Sequence, residues 1–81
     1  MSKTLASSGH HALVQAMLDA RKASGLTQME LAQKLKCQQS LIARMESGQR
    51  RIDAVDIVRW ARAVGVEPKA FIDVVSEHIR E

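Results

Sequence analysis

Gln39, Ser40, Ala43 and Arg44 are spaced so that they share one face of a short helix, while Ile42 and Met45 point the other way. An amide, a hydroxyl, a methyl and a guanidinium shown together have a specific chemical use: they complement the edges of base pairs in a DNA major groove. A glutamine pairs bidentately with adenine N6 and N7, and a serine donates or accepts. An arginine forks onto guanine O6 and N7, or holds a phosphate. Ala43 can meet a thymine methyl; Leu41 can do the same or pack inward.

Such a face reads bases only if neighbouring elements hold it, and the flanking sequence supplies them. Thr27 is a hydroxyl N-cap with Glu30 at capping-box spacing. Leu31 and Leu35 share the next helical face, with Ala32 beside them. A tight turn at Lys36 and Cys37 then leads into the polar helix. Thr27 can also offer its hydroxyl to a phosphate at the helix N-terminus, where the dipole favours an anion. Gln38 stands in the N-cap slot of the polar helix, where glutamine is a poor cap; it is expected to face the DNA backbone or the adjacent base. Beyond Gly48, Gln49, Arg50 and Arg51 form a basic loop with nothing apolar to cover, and phosphate binding is its expected use.

This arrangement resembles the helix-turn-helix domain of the phage Cro and repressor type, the XRE-like family. The matching residues are Arg21, Gly25-Leu26-Thr27-Gln28, Glu30-Leu31-Ala32, Leu35, Gln39-Ser40, Ile42, Arg44, Glu46 and Gly48. The match continues through Arg50-Arg51-Ile52-Asp53 and Ala61-Arg62-Ala63-Val64-Gly65-Val66, so it runs over roughly residues 12 to 72. No single tetrapeptide is specific, but so many matches in one register are.

The resemblance implies sequence-specific binding of double-stranded DNA by a homodimer on a two-fold operator, most often in repression. Phage repressors, restriction–modification controllers and autoregulating antitoxins share this body plan. A protein partner such as a toxin or polymerase is a further implication, and a protein–protein adaptor on the same fold is the alternative. Gln28 is expected to bind the phosphate backbone and to brace Gln39. Arg21 and Glu46 are expected to form a buried or half-buried ion pair that fixes the first and third helices. The turn often carries glycine where this chain has Lys36, because a positive φ is needed there; lysine can adopt it at a cost of about 1–2 kcal/mol.

Eighty-one residues are expected to form one small domain, without a separate catalytic or effector unit. The formal charge of +3 is a weak pointer to nucleic acid, but Lys36, Arg44, Arg50 and Arg51 crowd around the polar helix, with Glu46 the one acid among them. One Phe, one Trp and no Tyr supply stacking on single-stranded bases poorly. Cys37 is alone, so no internal disulfide is expected. His10 and His11 are neighbours and His78 is distant, so no metal set is expected. No cofactor and no catalytic constellation are expected either. The first residues lack the apolar core of a signal peptide, and no run is long enough to span a membrane, so a cytoplasmic setting is expected.

The expected fold is all-α: a compact, five-helix, lambda-repressor-like domain with its helix-turn-helix at helices two and three. Residues 1–8 are expected to be a flexible arm and residues 9–81 the domain. Helix one carries Leu13, Met17 and Ala20 at helical spacing and ends at Gly25. Asp53 caps a fourth helix with a stripe of Ile57, Ala61 and Val64, and Pro68 opens a fifth. That fifth helix is apolar on more than one side, and Phe71, Ile72, Val75 and Ile79 are expected to pair two copies.

Overall fold

A computed structural model describes residues 7–79. Among these residues there are five helices and no strand: α1 (Ser8–Ala23), α2 (Gln28–Leu35), α3 (Gln39–Glu46), α4 (Ala54–Val64) and α5 (Pro68–His78). Most of the expected arm lies outside the described residues. Ser7 and Ser8 do not belong to an arm, however, because the Ser7 hydroxyl accepts from the His10 amide at 3.1 Å and caps α1.

The ends of the central helices are set by local chemistry. At α2 the Thr27 hydroxyl accepts from the Glu30 amide at 3.1 Å, and the Glu30 carboxylate accepts from the Thr27 amide at 2.9 Å. Both halves of the box are therefore formed. Lys36 ends α2 at φ 56°, the one positive φ of a non-glycine residue among those described. The turn into α3 needs the left-handed conformation, and this chain makes it with a lysine. Gln38 begins α3 in extended backbone without a side-chain cap. Asp53 and Asp56 close a second reciprocal box at α4, and Gly65 ends that helix at φ +81°.

One face of each helix meets in a single core. Met17, Leu31, Ile42 and Trp60 are fully buried, with Leu13, Ala32, Met45, Ile57, Ala61, Val64 and Phe71 around them. The α4 stripe thus includes Trp60 as well as the three positions expected. Its indole nitrogen donates to the Met17 carbonyl at 2.9 Å, which satisfies the polar end of a buried ring and ties α4 to α1. Truncating such a side chain typically costs about 3–5 kcal/mol.

Helix α5 packs chiefly along α1, and the contact is close because Gly9 has no side chain. A Cβ there would stand 3.2 Å from Ile79 Cγ1 and 3.6 Å from Val75 Cγ1. This corrects the expected pairing face. Phe71 is 3% exposed and belongs to the core of its own domain, and Val75 is half-buried and packed against that core. Ile72 and Ile79 remain about half exposed, at 49% and 51%.

Candidate nucleic-acid interface

The interface is built on an ion pair. The Arg21 side chain reaches across from α1 to the end of α3, where Nε donates to Glu46 Oε2 at 2.6 Å and Nη2 to Oε1 at 3.1 Å. Its third donor, Nη1, is taken by the Leu26 carbonyl at 2.7 Å. The two side chains are only 10% and 4% exposed. Both charges are thus out of water and matched fork to fork, the geometry that lets a buried pair offset its desolvation.

The same carboxylate holds Gln28 at the first turn of α2. Gln28 Nε2 donates to Glu46 Oε1 at 2.9 Å, and Gln28 Oε1 accepts from Gln39 Nε2 at 2.6 Å. Four residues far apart in sequence form one chain, Arg21–Glu46–Gln28–Gln39, which runs from the protein interior to the exposed start of α3. Gln39 still has Oε1 and one N–H uncommitted. The resemblance had implied the link between the two glutamines; the link from Gln28 to Glu46 was not foreseen.

On α3, Gln39, Ser40 and Arg44 are exposed and Ala43 is half-buried. Leu41 is half-buried and packs against the core. Gln38 is exposed; its side chain receives only a long 3.5 Å contact from the Ser40 hydroxyl. Beside this face lies the N-terminus of α2. The Thr27 hydroxyl accepts the capping bond and keeps its own proton to donate, and no intrahelical carbonyl reaches the amides of Gln28 and Met29. These groups suit a phosphate oxygen.

The basic loop is less uniform than expected. Arg44, Gln49, Arg50, Arg51, Ile52 and Asp53 line a shallow concavity on this side. Arg51 and Gln49 are exposed, and Arg51 joins no ion pair among the described residues. Arg50 is already engaged, because Nη1 donates to Asp56 Oδ2 at 2.8 Å and to the Arg51 carbonyl at 3.1 Å. Burial pushes the Asp56 carboxyl upward. The hydrogen bonds from Arg50 and the Asp53 amide, with the Arg50 charge, outweigh that and hold it below the usual carboxylate range. The Arg50 guanidinium is raised in turn, chiefly by its bond to Asp56. Through Nη1, Arg50 therefore braces the loop against α4, with its charge balanced by Asp56, while Nε and Nη2 have no protein partner among the described residues. Asp53 and Asp56 stand at box spacing in the sequence, with two aspartates in place of the usual Ser or Thr and Glu or Gln, but that spacing marks the cap and does not say that Arg50 joins it.

Two other expectations concern cysteine and metal. Cys37 is a free thiol, half-buried against the core. Among the described residues no group of His, Cys, Asp or Glu is placed to hold a metal ion, and no helix is long and apolar enough to cross a membrane.

A family model described as a helix-turn-helix domain matches residues 13–71. Among solved structures, one similar to this chain is an XRE-family like protein from Pseudomonas syringae pv. tomato str. DC3000. It is 32% identical, with a TM-score of 0.83 over 98% of this chain and 96% of that one. No curated protein matches. With the family model spanning most of its helices and a neighbour alike over nearly its whole length, the chain belongs to the XRE-like family of helix-turn-helix DNA-binding domains.

Proposed function

We propose that this protein is a transcriptional repressor that binds a two-fold operator in double-stranded DNA as a homodimer. The reading rests above all on the chain from Arg21 to Gln39, which fixes an exposed amide at the start of α3. Holding a surface glutamine in one place costs side-chain entropy, and a reader of base edges gains from that order. Gln39, Ser40 and Arg44, with Ala43 beside them, discriminate between bases. Thr27, Gln28, Gln38, Gln49 and Arg51 hold the backbone and set the register. Arg50 keeps the loop in shape.

The test is selection of binding sites from random double-stranded DNA, followed by affinity measurements on the selected site and on unrelated DNA at one salt concentration. Gln39→Ala and Arg44→Ala should each weaken the selected site by about 1–3 kcal/mol and leave unrelated DNA nearly unaffected. Equal losses on both kinds of DNA would contradict base reading by α3. Failure to enrich any sequence would remove the function altogether.

A further inference from the structure

We infer that Glu46, whose side chain is buried off the reading face, acts through Gln28 to decide which way round the Gln39 amide is held, and so favours adenine over guanine at the base pair Gln39 reads. The inference rests on the DNA-reading function proposed above and goes further, to a residue outside the reading face. The physical basis is donor and acceptor bookkeeping along the chain. Arg21 offers only donors, and it faces the Glu46 carboxylate with two of them. A carboxylate paired in this way offers only acceptors, so Gln28 must turn its nitrogen toward Glu46. Its oxygen then faces Gln39, and Gln39 must answer with nitrogen. Each amide is oriented by the one before it, and an acceptor-only group sets the sense of the whole series.

The consequence falls on the free edge of Gln39. With one N–H given to Gln28, the groove meets one donor and one acceptor, which match N7 and the N6 amino group of adenine. Were the amide turned over, Gln28 would occupy its oxygen and two N–H donors would face the groove. That edge matches guanine, whose N7 and O6 are both acceptors. The side chains of Arg21 and Glu46 are buried far better than Gln39, so the sense is fixed where water does not compete.

Glu46 Oε1 accepts from both Arg21 and Gln28, and Oε2 from Arg21 alone, so an amide at this position could keep its oxygen toward Gln28. Glu46→Leu removes both acceptors and leaves nothing to hold the Gln28 nitrogen. Arg21→Gln is the matched control: it also breaks the ion pair but leaves the carboxylate facing Gln28. On operators that differ only at the Gln39-read pair, wild type should prefer adenine over guanine by about tenfold or more. In Glu46→Leu the ratio should fall to about threefold or less, while preferences at pairs read by Ser40 and Arg44 persist. Arg21→Gln should keep the adenine preference even though its thermal stability falls. Should Glu46→Leu fail to fold, Gln28→Leu interrupts the chain without touching the ion pair, and should flatten the same ratio. An unchanged ratio in the folded variant, or an equal collapse in Arg21→Gln, overturns the inference while leaving DNA reading intact. A wild type that selects no sequence overturns DNA reading itself.

Discussion

The Arg50 guanidinium commits Nη1 to Asp56 and to the Arg51 carbonyl, and its charge is balanced by the Asp56 carboxylate, whereas Arg51 is exposed and outside every ion pair among the described residues. Adjacent residues of one type should therefore behave differently. A phosphate neutralised by a free cation releases counterions, and each such contact contributes about 0.9 to the slope of log affinity against log salt on double-stranded DNA. Arg51→Ala should lower that slope by about one unit on any sequence. Arg50→Ala should leave the slope nearly unchanged and lower the unfolding temperature, since Asp56 then lies in a partly buried place with fewer donors. Salt titrations of the two variants on unrelated DNA give the comparison, and equal slope losses would return Arg50 to the phosphate ligands. The same logic separates Gln39 from Arg44. Gln39 is fixed by a partner, while Arg44 is exposed beside the basic concavity and free to choose a base or a phosphate.

Helix boundaries were legible wherever a cap encodes them. Thr27 with Glu30, Asp53, Gly65 and Pro68 mark the starts and stops of α2, α4 and α5, and each does so through a local bond or a backbone preference. Two kinds of feature were not legible, for one physical reason: they depend on what lies opposite. Nothing in the sequence shows that α5 presses Val75 and Ile79 against Gly9, and Phe71 reads as surplus until its side chain is found in the core. The pairing of Arg50 with Asp56 likewise depends on how the loop folds back on α4, which spacing alone does not say. The turn between α2 and α3 was legible down to its backbone angle, and it carries a prediction. Lys36 is exposed and held at φ 56°, which strains a residue with a Cβ by about 1–2 kcal/mol. Glycine removes that strain but adds about 0.4–1 kcal/mol of unfolded-chain entropy. Lys36→Gly should thus gain about 0.5–1 kcal/mol, a rise of a few degrees in Tm for a domain of this size. A Tm that stays level or falls would mean that the lysine side chain stabilises the turn in a way its exposure does not show.

Pairing of whole molecules is the remaining requirement of a two-fold operator. One α3 reads few base pairs, and two of them set one turn of B-DNA apart, about 34 Å, double the reading surface. The domain itself measures 37 × 27 × 19 Å, so two copies side by side span such a distance without a linker. The contact proposed for them is the outer side of α5, reduced from the face first expected now that Phe71 is buried in its own core. Ile72 and Ile79 remain about half exposed there, with Val75 half-buried between α5 and α1. These two isoleucines are not equivalent as probes. Ile79 lies against Gly9, so a charge placed there would disturb the packing of α5 on α1 as well as any contact with a second copy. Ile72 is outside the core, and Ile72→Glu isolates the effect of pairing. At a two-fold contact the new carboxylate meets its own copy, and like charges brought together there cost association rather than folding. Sedimentation of this variant should show a monomer with wild-type helical content. Its affinity for a full operator should fall toward that for a half-site. If Ile72→Glu still sediments as a dimer and binds the operator normally, the subunits meet elsewhere. If the wild type is itself monomeric both free and on DNA, the two-fold operator goes with it.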